Sequence, residues 1–321
     1  MLLKRLKKSR FAIEQNLRCT KQRDMQILTT TKLTEIFVET DDFLQELRVR
    51  LANEGIAEPG WHSRFSRSEM MTVLIAYHHS GRKTLKYFYC HDVLGTYHEW
   101  LPDAPCYARF VALIPHVVLE LYLLMKSRCA LALPENFIDS KPLAVCHIKR
   151  EAQHKVMVDW ASKGKSTLGW FYGLKLHVVV NREADLVNVL LTSGNVADNN
   201  HQVLNYLLKE VEGKVYGDRG YLSKLKEGLL NRGVNLIAKM RRNGKKDAVV
   251  HHQDAYYHRH RGVIESVFGQ CVRLIDLEHT RHRAPINYLC NVFAALSAYT
   301  FADQHPRIIA FDDRNRILNA A

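Results

Sequence analysis

The chain has 321 residues, 46 Lys+Arg against 33 Asp+Glu and a formal charge of +13 at pH 7, with 47% hydrophobic and 25% charged residues. Those proportions leave room for two or three globular domains and exclude a disordered, collagenous or low-complexity chain. The positive charge favours a polyanionic partner, because Lys and Arg that neutralise phosphates release condensed counterions, although charge alone does not separate DNA from RNA or an anionic membrane.

Residues 1–24 carry eight Lys/Arg against Glu14 and Asp24 with little apolar periodicity, which predicts a flexible basic arm. Gln15, Asn16 and Arg18 stand where a signal peptide would place its apolar core, so a cytoplasmic protein is expected. Residues 25–132 then read as a helical region. Ile36, Phe37, Phe43, Leu44 and Leu47 recur at helical spacing, as do Met70, Met71, Leu74, Ile75 and Tyr77, and later Phe110, Leu113, Val117, Leu121 and Leu124. The longest apolar stretch, Val111 to Met125, is broken by Pro115, His116 and Glu120 and is shorter than the roughly 20 residues a membrane crossing needs, so no transmembrane helix is expected. Seven widely spaced cysteines match neither a disulfide framework nor a zinc site, and most are expected to be buried thiols.

At Leu133-Pro134 the pattern turns to strands: Phe137 to Cys146, Trp170 to Val180 and Leu186 to Leu191. Asp198-Asn199-Asn200 is an N-cap signal ahead of the amphipathic Val203, Leu204, Leu207, Leu208 and Val211. A strand Lys214 to Tyr216, a helix Ser223 to Leu230, a strand Val234 to Lys239 and a long helix Tyr257 to Leu277 follow. The order βββαβαβα predicts an α/β region, 133–302, whose mixed sheet is flanked by helices and preceded by the helical amino-terminal region. Residues 303–321 read as a tail.

Three carboxylates stand out. Asp139 directly follows Phe137 and Ile138, although Asp suits a strand interior poorly. Asp218 follows a short apolar strand, where such sheets deliver side chains to their carboxyl edge. Glu265 lies between Ile264 and Phe268 on what reads as a core-facing stripe, so it needs a partner. A purely structural reading pairs Glu265 with Arg261, Asp218 with Arg219 or Lys175, and lets Asp139 cap a turn. Together, the three could hold two Mg²⁺ ions, which prefer hard oxygen ligands and serve phosphodiester displacement. Lys141, Lys175, Arg219, Lys239, Arg241, Arg242 and Arg261 are candidate phosphate contacts, Arg suiting bidentate recognition. Arg241 to Lys246 reads equally as a solvated turn. His251, His252, His258 and His260 lack the spacing of a metal site. Trp160 and Trp170 are candidates for stacking on an unpaired base, with core packing the expectation for Trp170 beside its strand.

The order Ile138-Asp139-Ser140-Lys141-Pro142, Gly173-Leu174-Lys175-Leu176-His177, Thr192 to Asp198, Gly217-Asp218-Arg219-Gly220-Tyr221 and Arg261 through Glu265 resembles DDE-type transposases of bacterial insertion sequences. Ser80-Gly81-Arg82, Lys86 to Tyr89 and Cys106 to Val111 point within these to insertion-sequence family 982, the resemblance running from about Leu33 to Thr300. It implies a ribonuclease H-like catalytic domain and an Asp139, Asp218, Glu265 triad that holds Mg²⁺, with Mn²⁺ as a substitute. It further implies double-stranded DNA as partner, no membrane, a homodimer or higher oligomer on two DNA ends, and a bacterial, nucleoid-associated protein. Related transposases carry a Tyr, Arg, Glu, Lys signature. Here Arg261 and Glu265 keep their spacing, while His258 and Val272 stand at the outer positions, with Tyr257 and Arg273 one residue away. A nuclease or resolvase without strand transfer, and an inactive DNA-binding remnant, are the alternatives.

Overall fold

The computed structural model describes residues 28–58, 60–167, 169–221, 225–238, 252–273 and 282–311, so the basic arm, Lys239, Arg241, Arg242, His251 and most of the expected tail lie outside the described residues. Two compact units form. One joins Met1–Ser127 to Cys271–Phe301, and the other joins Arg128–Gln270 to Ala302–Ala321. The expected catalytic span 133–302 therefore runs through both.

The first unit is helical. Its α1 (Thr30–Asn53) starts where the Thr29 hydroxyl accepts the Lys32 amide, and it buries Leu33, Ile36, Phe37, Thr40 and Leu44 along one stripe. A reciprocal capping box between Ser66 and Glu69 opens α2 (Arg67–His79). Nearly every residue of α2 is buried, the mark of a helix surrounded by others. A short α3 (Leu85–Tyr87) widens into a π-helical stretch, Phe88–Thr96. Then α4 (Tyr107–Leu113), a 3₁₀ turn at Ile114–Val117 containing Pro115, and α5 (Val118–Ser127) make one helical run of 21 residues. That run is longer than the interrupted apolar stretch suggested, and it is long and apolar enough to cross a membrane. A single such helix is weak evidence, and Phe110, Leu113, Val117, Leu121 and Leu124 are buried within the unit. The helix Pro285–Thr300 packs against α2 and α5, burying Tyr288, Val292, Leu296 and Tyr299.

The second unit holds β1 (Glu135–Cys146), β2 (Ser162–Ser166), β3 (Gly169–Asn181), β4 (Leu186–Ser193), α6 (His201–Leu207), β5 (Gly213–Gly217), α7 (Lys226–Leu230), β6 (Val234–Ala238), α8 (His252–Arg259) and α9 (Gly262–Arg273) as far as Gln270. The sheet order is β2-β3-β1-β5-β6, with β4 also on β3. The β1–β5 and β5–β6 pairs are parallel, and all pairings of β3 are antiparallel. On one face Ile138, Val179 and Val215 pack with Val203, Leu204 and Leu207 of α6 and Leu229 of α7. Phe137 and Tyr216, register partners in β1 and β5, stack at 5.6 Å, and Tyr257 of α8 lies 5.6 Å from Tyr216. Successive residues of β1 and β5 thus alternate between two covered faces. The mixed sheet, its flanking helices and the helical amino-terminal region agree with the expected α/β class.

Several expectations change. The polar strand β2, Ser-Lys-Gly-Lys-Ser, carries no apolar signal and was not expected; it forms by pairing with β3. The expected continuous helix from Tyr257 is two helices, α8 and α9, broken at His260-Arg261. Of the six described cysteines only Cys271 and Cys290 are buried, whereas Cys90 and Cys106 are exposed. Close backbone packing explains two glycines of the motifs. A Cβ on Gly173 would stand 2.1 Å from the Leu143 carbonyl oxygen, and one on Gly194 2.6 Å from that of Ser162.

Candidate active site

The parallel pairing of β1 with β5 ends at Phe137↔Tyr216. Asp139, within β1, and Asp218, just past the carboxyl end of β5, each follow two residues later, so strands about 4.8 Å apart deliver the two carboxylates to one neighbourhood, where Asp218 acts on Asp139. Asp139 stays held on its other side by the β3 ladder, opposite Val178. Asp218 leaves the sheet in a tight turn in which its Oδ1 accepts the Gly220 amide at 2.6 Å.

Burial pushes Asp139 up to about 6; the Ser140 amide and Arg261 oppose this, while the carboxylates of Asp218 and Asp198 add to it. The Ser140 amide donates to Asp139 Oδ1 at 2.8 Å. Nearby Tyr221 is fully buried, and its hydroxyl is held well above the ordinary range by burial and then by Asp198, Asp139 and Asp218. Asp198 therefore belongs to the same neighbourhood. The sequence placed it in an Asp198-Asn199-Asn200 cap signal and in a motif, without a site role; within that signal the cap of α6 is Asn200, whose Oδ1 accepts the Gln202 and Val203 amides. The available signal was its place in the Thr192 to Asp198 motif.

Asp198 Oδ1 accepts the Ser140 hydroxyl at 2.6 Å and Lys175 Nζ at 3.2 Å. Lys175 is 8% exposed and also donates to the Val196 carbonyl at 2.7 Å, so its charge is directed to Asp198 instead of Asp218. His177, buried beside them, is pushed down to about 4 by burial, against the pull of Asp198, and is neutral at pH 7.

Glu265 does not lie on the core-facing stripe of α9. Val263, Ile264, Val267, Phe268 and Cys271 fill that stripe, and the Glu265 side chain is 66% exposed. Arg261 stands between the two acids, with Nη1 3.5 Å from Asp139 Oδ2 and Nη2 3.5 Å from Glu265 Oε1. Lys141 is half-buried and Arg219 exposed. Tyr257 is committed to the stack with Phe137 and Tyr216, and His258 lies edge-on to Tyr216 at 6.1 Å. Trp170, expected in the core, is 57% exposed, with Lys163 and Lys165 5.4 and 5.7 Å from its ring; Trp160 is also exposed.

Among the described residues no group of three or more His, Cys, Asp or Glu is arranged to hold a metal ion. The donor set of Asp139 and Asp218 still fits a hard divalent cation. The two carboxylates supply only oxygens, and the negative charges of Asp218 and Asp198 add to the effect of burial in raising Asp139, a repulsion that a bound cation would relieve.

Residues 133–285 match the family model described as a transposase DDE domain. No curated protein matches the chain. The match begins just before β1 and ends where the Pro285–Thr300 helix begins, so it spans the sheet and both carboxylates. It supports a DDE-type transposase, with which the mixed sheet flanked by helices agrees as a ribonuclease H-like DDE domain. DDE transposase domains generally use divalent metal ions, and transposases bind DNA.

Proposed function

We propose that this protein is the transposase of a bacterial insertion sequence, resembling family 982, that binds the ends of its element and cleaves and joins DNA in a Mg²⁺-dependent reaction. The observation that supports the reading is the register of β1 and β5, which ends two residues before both Asp139 and Asp218 and leaves Asp218 near enough to raise Asp139. They and Glu265 would hold the metal, two ions in the proposed form, with Mn²⁺ as a substitute. When bound, such ions stabilise charge on the attacking and leaving oxygens of a phosphodiester displacement.

The protein's own groups orient the DNA. Arg261 has two Asp139- and Glu265-facing nitrogens and reaches the same neighbourhood, which suits a phosphate oxygen next to the scissile bond. Lys141, Arg219, Arg241 and Arg242 complete the proposed set of DNA contacts; Lys175, expected among them, is buried and paired with Asp198. Water attacks the phosphodiester at the element end, breaking its bond to the 3′-oxygen, which leaves as a 3′-hydroxyl while a 5′-phosphate stays on the flanking strand; that hydroxyl then attacks a phosphodiester of target DNA, displacing a second 3′-oxygen. Holding two ends calls for a homodimer or higher oligomer in a cytoplasmic, nucleoid-associated complex. The helical amino-terminal region would supply recognition.

The test is strand transfer from a pre-cleaved element end in Mg²⁺. Joined product from the wild-type chain, and none from Asp139→Asn, Asp218→Asn or Glu265→Gln although each still binds DNA, is expected. No joining of the pre-cleaved end by a wild-type chain that cleaves an intact end would favour a nuclease or resolvase. Near-wild-type activity in one variant would remove that residue from the triad.

A further inference from the structure

Asp198 lies in the loop between β4 and α6. One of its oxygens, Oδ1, ties β1 to β3, because it takes both the Ser140 hydroxyl at 2.6 Å and Lys175 Nζ at 3.2 Å. These partners come from adjacent antiparallel strands, in which Ser140 pairs with His177 and Pro142 with Lys175. His177 brings Nδ1 to within 3.8 Å of the same oxygen, and its Nε2 is 2.9 Å from the Thr192 hydroxyl of β4. The other oxygen, Oδ2, faces the Asp218 turn. A Cβ built on Gly220 would stand 3.6 Å from it and 2.9 Å from Asp218 Oδ1. Asp198 therefore touches the residue next to Asp139 with one oxygen and borders the turn carrying Asp218 with the other.

We infer that Asp198 is a positioning residue, which fixes the spacing of Asp139 and Asp218 by clamping Ser140 against Lys175 while its second oxygen borders the Gly220 turn. The inference rests on the transposase reading and deepens it. Lys175 supplies the counter-charge that lets a fourth carboxylate sit near two others without adding a full negative charge, so Asp198 serves geometry and is not counted among the metal-holding residues. Groups that orient ligating carboxylates typically contribute 10–100-fold in metal affinity or activity.

Asp198→Asn leaves Lys175 buried without its counter-charge and is expected to lower the melting temperature, so Ser140→Ala, which keeps the ion pair, carries the decision. The full chain is titrated with Mn²⁺ by calorimetry without DNA, and its cleavage of an element-end duplex is followed in Mg²⁺. Ser140→Ala is expected to weaken Mn²⁺ binding and lower kcat by about 10-fold or more, with KM for the duplex unchanged. A wild-type chain that binds Mn²⁺ and cuts, alongside a Ser140→Ala variant equal to it in both, would overturn this inference alone. A wild-type chain that does neither would overturn the transposase reading and this inference with it.

Discussion

Asp139 concentrates the electrostatic strain of the site. Its folded value of about 6 lies above the ordinary 3.8, so the folded chain binds this proton more readily than the unfolded chain does. Below pH 4 both states are protonated and the residue costs nothing; as pH rises through 6 the folded state carries a penalty of about 3 kcal/mol. In EDTA, Asp139→Asn should therefore melt higher than wild type at pH 7, the difference shrinking towards pH 4. Added Mg²⁺ should raise the wild-type melting temperature and leave the variant unmoved. A scan of melting temperature against pH with and without Mg²⁺ checks both. Arg261, 22% exposed and 3.5 Å from each of two acids, tests the neighbouring charge. Arg261→Ala is expected to lower the salt slope of end binding by about one. An unchanged slope with a lower melting temperature would instead make it a structural partner of Asp139 and Glu265.

The sheet elements carry the site because their contacts leave little freedom. Gly173 in β3 passes so close to β1 that a Cβ would stand 2.1 Å from the Leu143 carbonyl oxygen, and backbone cannot yield as a side-chain tip can. Gly173→Ala should destabilise the unit by at least about 2 kcal/mol and shift β1, measurable by denaturant unfolding. Trp170, at the start of the same strand, makes the opposite case. Its indole is 57% exposed beside Lys163 and Lys165, so Trp170→Ala should change stability little. The acrylamide-accessible share of the wild-type fluorescence should fall in Trp170→Ala. Quenching by single-stranded DNA that disappears in the variant would identify it as a base-stacking surface.

At the level of the whole molecule the helical unit is closed by a distant part of the chain. The Pro285–Thr300 helix packs on α2 and α5, and the Cys290 thiol approaches the Ile114 carbonyl at 3.4 Å, 176 residues away in sequence. A fragment of residues 28–127 should accordingly lack a cooperative thermal transition, because removing that helix exposes the apolar faces that covered it. Supplying residues 271–301 should restore the transition, as followed by circular dichroism. Met25 precedes Leu28, which is buried and whose carbonyl accepts the Tyr97 hydroxyl. A chain beginning at Met25 is expected to keep its cleavage specificity and melting temperature, losing only salt-sensitive, sequence-independent DNA affinity. Loss of specific end binding at low salt would show that residues 1–24 read DNA.

Local chemistry determined what could be read directly from the residues. Short β-rich runs marked β1, β3 and β4, Asn200 belonged to a visible cap signal, and Asp139 and Asp218 stood out because one directly follows apolar strand residues and the other a short apolar strand. Pairing partners and loop paths decided the rest. No periodicity in Ser162–Ser166 signals a strand, since β2 depends on an edge of β3 being available. Adjacency to Ile264 and Phe268 suggested a core-facing Glu265, but at about 100° per residue Val263, Ile264, Val267, Phe268 and Cys271 form one arc that leaves Glu265 outside, and the packed helix exposes it. Asp198 read as part of a cap signal and a motif without a role at the site, because its partners Ser140 and Lys175 lie 58 and 23 residues away and meet it only when β1 and β3 pair. Side-chain periodicity is local and survives in the sequence, whereas register and burial depend on contacts between residues far apart along the chain.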